Sequence, residues 1–294
     1  MKIIIGPASK ELGEKTAELT NLEAVQVSLK TFPDGEVYIR LESSVNCEHV
    51  AIVQTTSPPQ NDRIVQLAFL ADAAKRNGAP NVTAVVPYLA YARQDKVFLP
   101  GEGISIETLA RMLKGAGIDA LVTINIHSEN ALKKLPFPTT NLSAIPLLAE
   151  YFVQKGFKKA FALAPDKGAM YIAEQAQEVL GGDVGHLEKQ RDRYTGQTRQ
   201  TGMGLKVKGQ VVIIFDDIIS TGGTIIGAAK ILREMGAAKI FTACVHPLLI
   251  GDAQNRILEA GVEEIVGTDS IPSNISKVSL APLIAIALKA QESG

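Results

Sequence analysis

Short runs of β-branched and aliphatic residues alternate along the chain with longer stretches whose apolar residues recur every three or four positions. The runs predict strands and the longer stretches predict helices. Glycines at 78 and 236 follow two of these helices and predict C-caps. The alternation is typical of βαβ units and predicts an α/β fold, with strands at 2–5, 50–54, 82–86, 121–126, 160–163, 211–215, 240–245 and 265–268 and helices at 64–76, 106–114, 170–180 and 225–235.

Two segments repeat one order of elements, which indicates two domains of the same fold. Residues 51–88 and residues 212–247 each run from a strand through a turn and a helix to a second strand. The alternative is an unrelated pair of βαβ units with similar spacing. A Pro- and Thr-rich connector at 138–141 predicts the boundary, with a first domain of 1–141 completed by a C-terminal helix at 281–294 and a second domain of 142–280.

Length and charge narrow the classes of protein. The 294 residues suffice for two domains of about 150 residues each. A formal net charge of −1 gives no electrostatic case for nucleic acid or a membrane surface. The two cysteines, Cys47 and Cys244, form no disulfide framework and are expected to be buried apolar residues. No apolar run reaches the ~18 residues of a membrane helix, so a cytoplasmic protein is expected.

The stretch 211–224 combines a buried strand, two acids, a turn rich in hydroxyls and glycines, and the start of a helix. Backbone N–H groups at a helix start attract anions, and Gly222 and Gly223 allow a ligand to approach the backbone closely. Asp216 and Asp217, expected just after the strand, can hold sugar hydroxyls or hydrated Mg²⁺. The pattern predicts a site for a phosphorylated sugar, with further donors in Ser220, Thr221 and Thr224. An ordinary capped turn is the alternative.

Other strand ends carry residues suited to phosphate or metal. Arg93 and Lys96 follow one strand and can grip phosphates, unless they lie in a solvated loop. His127 and Asp166 follow two more strands, and a structural histidine and a helix cap are their alternative roles. If those two strands are neighbours, both side chains face one rim of the sheet.

Two loops complete the set of candidates. The string 32–36, Phe-Pro-Asp-Gly-Glu, precedes an alternating strand at 37–41 and by itself predicts a hairpin rather than a site. The segment 188–199 is polar, basic and interrupted by glycine, and it predicts a mobile flap. The alternative for the flap is a disordered surface loop. A Lys and an Arg that close over a polyphosphate would stabilise the charge of the transferred group.

In order and nearly end to end, these motifs resemble those of the ribose-phosphate pyrophosphokinases, and of their shorter archaeal forms in particular. The resemblance implies two phosphoribosyltransferase-like domains, each a mostly parallel sheet flanked by helices. It also implies transfer of diphosphate from ATP to ribose 5-phosphate with Mg²⁺, in a homodimer or larger oligomer. Two departures stand out: the pyrophosphate loop is shortened and contains Lys167, and apolar residues 97–100 follow Lys96.

The resemblance also assigns residues to roles. It implies that the loop at 32–36 reaches the adenine of ATP bound by a neighbouring subunit, and that His127 and Asp166 are Mg²⁺–ATP ligands. It implies catalytic roles for Lys189 and Arg191. The implied ATP-binding residues are Phe32, Asp34, Glu36, Arg93, Gln94, Asp95 and Lys96; the ribose-5-phosphate-binding residues are Asp216, Asp217, Ser220, Thr221, Gly222, Gly223 and Thr224; and the pyrophosphate loop is Asp166, Lys167, Gly168 and Ala169.

Two other functions remain open at this point. A phosphoribosyltransferase would use the same predicted site at 216–224, called the sugar loop below. It does not require the loop at 32–36 or the string at 93–96. A catalytically inactive regulatory homologue is the other alternative, and it should have lost Lys189 or the acid pair, which this chain retains.

Overall fold

The structure, a computed structural model, describes residues 1–191, 198–202 and 204–292. In these ranges the strands are β1 (Lys2–Ile5), β2 (Glu23–Val25), β3 (Val27–Thr31), β4 (Val37–Leu41), β5 (Val50–Val53), β6 (Val82–Val86), β7 (Ala120–Ile124), β8 (Thr139–Leu142), β9 (Phe161–Ala164), β10 (Val184–His186), β11 (Glu188–Arg191), β12 (Thr198–Thr201), β13 (Val211–Ile219), β14 (Lys239–Pro247), β15 (Glu264–Thr268) and β16 (Ser276–Val278).

The helices alternate with these strands. In the same described ranges they are α1 (Lys10–Thr20), α2 (Gln60–Arg76), α3 (Ser105–Gly115), α4 (Glu129–Leu132), α5 (Ile145–Gln154), α6 (Met170–Leu180), α7 (Gly223–Glu234), α8 (Ala253–Glu259) and α9 (Ala281–Glu292).

The chain divides into two compact units. The first unit comprises residues 1–142 and 279–294, and the second comprises 143–278. In the first unit a parallel sheet has the order β2-β1-β5-β6-β7-β8. The C-terminal helix α9 packs on α1 in this unit, where Lys289 Nζ donates to the carbonyl oxygen of Leu19 at 2.9 Å.

The second unit repeats the same arrangement. Its parallel sheet has the order β10-β9-β13-β14-β15-β16. Phe152 of α5 is fully buried under the sheet and meets the ring of Phe215 at 6.4 Å and that of Phe241 at 5.6 Å. Apolar residues of β13 and α7 fill the core on another side, so the central strand is held in place beneath the residues that follow it.

The α/β prediction with two similar, mostly parallel domains is confirmed. Helix α6 has the predicted bounds, and β4 is the predicted alternating strand. The glycines expected to end helices adopt positive φ, with +89° at Gly78 and +81° at Gly236.

Three details of the prediction are wrong. Residues 139–142 form the edge strand β8 rather than a connector, because they pair with β7. β13 does not stop before the acids but runs through them to Ile219, because its pairing with β14 continues that far. Cys47 is exposed rather than buried, whereas Cys244 is buried as expected.

Candidate active site

The sugar loop lies between β13 and α7, as its sequence predicts. Gly222 is the N-cap of α7 with φ of +77°, and the backbone N–H of Ile226 closes the first turn on the Gly222 carbonyl at 2.9 Å. The N–H groups earlier in a first helical turn have no partner within the helix. Ser220 and Thr221 precede this start, and Thr224 lies in the first turn. The loop therefore presents hydroxyls and helix N–H groups suited to a phosphate.

A neighbouring segment holds the backbone of this loop. After β14, the N–H groups of Leu249 and Ile250 donate to the carbonyl oxygens of Ile219 and Ser220, each at 3.0 Å. These bonds fix the chain just before the helix start, so the N–H groups of the first helical turn are positioned in advance of any ligand.

The acid pair is electrostatically unusual. Asp216 Oδ1 accepts the backbone N–H of Asp217 at 3.0 Å, and Asp217 Oδ1 accepts that of Ile218 at 2.8 Å. Removal from water, followed by the negative charge of Asp217, raises the pKa of Asp216 well above its ordinary value, and the charge of Asp166 adds to this. Burial likewise raises the pKa of the thiol of Cys244. Cys244 is the residue of β14 that lies opposite Asp216 in the strand pairing. A cationic ligand would relieve this crowding of negative charge.

The predicted pyrophosphate loop, Asp166–Ala169, follows β9, the strand next to β13. Asp166 caps a single 3-10 turn at 167–169, and its Oδ1 accepts the N–H groups of Gly168 at 2.9 Å and Ala169 at 3.3 Å. Lys167 and Gly168 of this turn are exposed. The capping role considered for Asp166 is therefore present.

The two loops meet at a particular place in the sheet. From β9 the chain moves outward to β10 and then returns to β13 on the other side, so the strand order reverses between β9 and β13. Open α/β sheets bind ligands beyond the carboxyl ends of strands at such a reversal. Asp166 lies just after one of the two strands on either side of the reversal, β9, and the acid pair lies in the carboxyl-terminal part of the other, β13.

His186 and Glu188 are residues that the sequence analysis missed. His186 ends β10 opposite Ala164. The side chains of His186 and Glu188 line a cavity of about 380 Å³ whose other walls are Asp166, Lys167 and Gly168. The available signal was the alternation of apolar and polar residues from 185 to 188, which places 186 and 188 on one face.

The predicted flap begins as a two-stranded antiparallel ribbon, since β11 pairs with β12. Residues 192–197 lie outside the described part of the chain. The same holds for the side chains of Lys189 and Arg191, so their catalytic roles stay a prediction.

In the first unit, the loop at 32–36 is the tip of the β3–β4 hairpin, which confirms the hairpin prediction. Gly35 has a φ of +93°, and Asp34 Oδ1 accepts the Glu36 N–H at 3.1 Å. Phe32 is 38% exposed, with Lys30 Nζ 4.8 Å from the centre of its ring. The hairpin therefore presents an aromatic ring and two acids to solvent.

The string at 93–96 is tied to other parts of the first unit. Ser105 Oγ donates to Gln94 Oε1 at 2.9 Å, and Ser128 Oγ donates to Asp95 Oδ2 at 2.5 Å. Lys134 Nζ reaches the Asp95 carbonyl at 2.9 Å. The Ser128 hydroxyl is the main cause that holds the pKa of Asp95 below its usual value. The bond also joins this string to the residue after His127.

The condition set for His127 and Asp166 is not met. His127 follows β7, in the sheet of the first unit, whereas Asp166 follows β9, in the sheet of the second. Their strands are therefore not neighbours. The doubled fold places similar strand ends in two separate sheets.

The first unit has a counterpart of the sugar site, and the chain's own side chains close it. Its strand order reverses between β1 and β5. There the Gln54 side chain accepts the N–H of Ala8 at 2.9 Å, and its Oε1 lies 2.3 Å from where a Cβ on Gly6 would stand. Thr55 and Thr56 are fully buried. Side chains of the chain itself therefore occupy the position that corresponds to the sugar loop of the second unit.

Within the described ranges, no group of three or more His, Cys, Asp or Glu side chains is arranged to hold a metal ion. In the same part of the chain, no helix is long and apolar enough to cross a bilayer.

The reversal of strand order, the helix start and the acid pair are together typical of an α/β enzyme that handles a phosphorylated sugar. A family model for the N-terminal domain of ribose phosphate pyrophosphokinase matches residues 1–117, and a model for the phosphoribosyl synthetase-associated domain matches residues 200–290. The chain belongs to the ribose-phosphate pyrophosphokinase family, whose members transfer diphosphate groups.

Relatives match this chain over nearly its whole length. It is 40% identical to the ribose-phosphate pyrophosphokinase of Methanobrevibacter smithii, over 98% of this chain and 99% of that protein. It is 41% identical to that of Methanothermobacter thermautotrophicus, over 98% and 100%. The crystal structure of phosphoribosylpyrophosphate synthetase from Mycobacterium smegmatis matches with a TM-score of 0.89 at 30% identity, over 100% of this chain and 99% of that one.

These matches confirm the family resemblance, its archaeal character and the predicted enzyme class. They favour the synthetase over a phosphoribosyltransferase, because relatives named as pyrophosphokinases align with both units. The activity of the family is the formation of phosphoribosyl pyrophosphate.

Proposed function

We propose that this chain transfers the β,γ-diphosphoryl group of ATP to the C1 hydroxyl of ribose 5-phosphate, releasing AMP, with Mg²⁺ as cofactor. The observation that carries the proposal is the sugar loop: an acid pair, a hydroxyl-rich turn and a helix start, at the sheet reversal of the second unit. Full-length similarity to ribose-phosphate pyrophosphokinases supports the choice of reaction.

The acceptor is held by the second unit. The 5-phosphate sits at the start of α7 and takes hydrogen bonds from the loop's N–H groups and hydroxyls. Asp216 and Asp217 bind the ribose hydroxyls, which directs the C1 hydroxyl towards the donor. The acceptor residues are Asp216, Asp217, Ser220, Thr221, Gly222, Gly223 and Thr224. Such positioning reduces the entropy that the reaction must lose.

The proposed donor residues lie in loops of each unit. The hairpin tip with Phe32, Asp34 and Glu36 supplies a ring and acids to the adenine, and the string Arg93, Gln94, Asp95 and Lys96 binds the nucleotide. In the second unit, the loop Asp166–Ala169 receives the diphosphoryl group. The bonds of Gln94 to Ser105 and of Asp95 to Ser128 support this, because they fix two of the donor residues beforehand.

Magnesium fits part of the predicted ligand set. Mg²⁺ prefers oxygen ligands and is commonly bound by one or two carboxylates together with substrate phosphates. Asp166 offers such a carboxylate, whereas the imidazole nitrogen of His127 is a softer ligand, so Asp166 carries the fit and His127 is the second proposed ligand. When bound, Mg²⁺ neutralises charge on the phosphates.

Lys189 and Arg191 complete the proposed chemistry. On closure of the flap, their positive charges stabilise the negative charge that develops as AMP leaves. Positioning and electrostatics are sufficient for phosphoryl transfer, so the proposal requires no covalent intermediate. The ribbon of β11 and β12 supports the flap role, since it carries both residues out from the end of β10.

We further propose that the chain works as a homodimer or a larger homo-oligomer in the cytoplasm. The exposed, solvent-facing hairpin tip suits contact with ATP bound by a second copy. The exposed thiol of Cys47 suits a reducing compartment.

An AMP-release assay tests the reaction. ATP and ribose 5-phosphate are supplied with Mg²⁺ and without any nucleobase, and AMP and phosphoribosyl pyrophosphate are measured together. The proposal predicts equal amounts of both products and no turnover when either Mg²⁺ or ribose 5-phosphate is omitted. Absence of AMP unless a nucleobase is present would instead indicate a phosphoribosyltransferase.

A further inference from the structure

A polar cavity at the outer edge of the second sheet contains two side chains with no role in the proposed chemistry. The cavity has a volume of about 380 Å³ and is lined by Asp166, Lys167, Gly168, His186 and Glu188. The first three belong to the predicted pyrophosphate loop. His186 ends the neighbouring strand β10, and Glu188 is the first residue of the predicted flap segment 188–199, but neither is among the predicted site residues.

The strand geometry explains why these two side chains face the cavity together. Side chains along an extended chain alternate between opposite faces. Gly185 is buried, and Leu187 is fully buried in the core of the second unit. His186 and Glu188, at the alternate positions, therefore project from the other face. The Leu187 N–H donates to the Ala164 carbonyl at 3.1 Å, which anchors this segment beside the strand that leads to Asp166.

The mixture of charges limits what the cavity can bind. A bare anion would face the carboxylates of Asp166 and Glu188, and a bare divalent cation would face the ammonium of Lys167. A ligand that carries both charges avoids both penalties, because its metal faces the acids and its phosphate oxygens face the lysine and the imidazole. The volume is sufficient for a diphosphate with its metal ion.

We propose that His186 is a substrate-binding residue that donates a hydrogen bond to the magnesium-complexed diphosphate group, while Glu188 selects the complex over the free anion. This inference rests on the proposed function, which brings a diphosphoryl group to the Asp166 loop. An imidazole N–H donates to a phosphate oxygen in either the neutral or the charged ring, so the role does not depend on protonation of His186.

The test measures binding without turnover. Pyrophosphate is titrated into the full chain by calorimetry in the presence of Mg²⁺, and the experiment is repeated with pyrophosphate alone and with Mg²⁺ alone. Tight binding is expected only when both are present. The variant His186→Leu should bind magnesium pyrophosphate about 10-fold to 100-fold more weakly, as expected for the loss of one hydrogen bond to a charged group.

Three further variants sharpen the result. His186→Gln keeps a hydrogen-bond donor and should retain most of the affinity, which separates lost binding from misfolding. Exposed His49 gives the matched control, because it belongs to the other unit and to no predicted site, so His49→Leu should leave binding unchanged. Glu188→Gln should strengthen the binding of pyrophosphate alone and so reduce the preference for the magnesium complex.

Two results would overturn the inference: wild-type affinity in His186→Leu, or free pyrophosphate that binds the wild-type chain as tightly as its magnesium complex. The AMP-release assay separates this outcome from failure of the proposed function. A wild-type chain that binds magnesium pyrophosphate through His186 but releases no AMP would leave the cavity assignment intact and refute the reaction.

Discussion

Gly222, the cap of the sugar-loop helix, lies directly against Ile257 of α8. A Cβ built on Gly222 would lie 2.9 Å from Ile257 Cδ1, and the residue has a φ of +77°. Both the backbone conformation and the close approach disfavour a side chain at position 222. The shape of the sugar loop therefore depends on a helix that contributes no group to the predicted site.

We expect Gly222→Ala to disrupt ribose 5-phosphate binding selectively. The left-handed conformation costs an L-residue about 1–2 kcal/mol, and contact with Ile257 adds to it, so the loop must shift. The KM for ribose 5-phosphate should rise at least about 10-fold, since 1.4 kcal/mol is a factor of ten. The KM for ATP should change little. Steady-state kinetics with each substrate varied in turn measures both.

Gly223 provides the control for this change. It is the next residue, has no positive φ, and a Cβ there would meet no atom within 4 Å. Gly223→Ala should therefore fold normally. Any rise in its KM for ribose 5-phosphate would report only crowding of the ligand by the added methyl group. Equal stability and equal KM in the two alanine variants would contradict the role assigned to α8.

Removal of the Ser128 hydroxyl should alter both the titration of Asp95 and the binding of ATP. In Ser128→Ala the pKa of Asp95 should rise towards its ordinary value, because the main cause of its lowering is lost. The KM for ATP should increase if Asp95 is a donor residue, and Ser128→Thr, which keeps the hydroxyl, should restore it. Carboxyl carbon NMR of the two variants and the wild type measures the pKa.

The stability effect of this bond has a definite sign with pH. A lowered pKa in the folded state gives stability that is present above the unfolded pKa of about 3.9 and is lost as pH falls through the folded value. Asp95 is largely open to solvent, so the difference between wild type and Ser128→Ala should be at most about 1 kcal/mol near pH 7. A difference that grows on acidification would contradict the assignment.

Asp216→Asn should stabilise the metal-free protein while removing its activity. The pKa of Asp216 is raised in the folded state, so the wild-type stability from this group is full below the unfolded pKa of about 3.9 and is lost as pH rises through the raised value. The Asn side chain does not ionise, so the variant does not lose this stability as the pH rises. At pH 7.5 we expect a gain of roughly 0.5–2 kcal/mol, as is common when function strains a site.

Urea unfolding with a chelator present, at pH 4 and pH 7.5, measures this difference. The exposed Asp183 of the same unit gives the control variant Asp183→Asn, which should show no comparable gain. If Asp216→Asn destabilises the protein at pH 7.5, the carboxylate is not under electrostatic strain there.

Local pattern predicts the central strands and helices but not the edges of either sheet. The fully buried strand β5 follows from an unbroken apolar run, and helix α6 follows from apolar residues that recur every three or four positions. The edge strands β2, β10 and β16 have three residues each, too few to show a period, and exist because a longer neighbour pairs with them. Their formation depends on contacts distant in sequence.

The same limit explains which site residues could be predicted. The sugar loop is one continuous stretch of sequence, so its chemistry is visible before folding. His186 becomes a candidate only once β10 is placed beside β9, because its companions Asp166 and Lys167 are about 20 positions away. Whether the strands before His127 and Asp166 are neighbours could not be predicted, because sequence order does not say to which sheet a strand belongs.

Mixed oligomers test whether the hairpin tip serves a neighbouring subunit. Phe32→Ala and Lys189→Ala should each lose most activity alone, the first through ATP binding and the second through turnover, by about 100-fold or more. The two inactive variants are unfolded, mixed in equal amounts and refolded. Random pairing then makes half of the dimers mixed, and each mixed dimer has one intact site and one inactive site. Activity should then return to about a quarter of wild type.

The recovery is expected because, in one site of each mixed dimer, the intact hairpin comes from one chain and the intact Lys189 from the other. If the hairpin served its own chain, each site of a mixed dimer would carry one lesion and no activity would return. Lys208→Ala, which alters another exposed lysine of the second unit, is the matched control and should keep wild-type turnover. Recovery without mixing would show only that refolding itself repairs a variant, so each variant is also refolded alone.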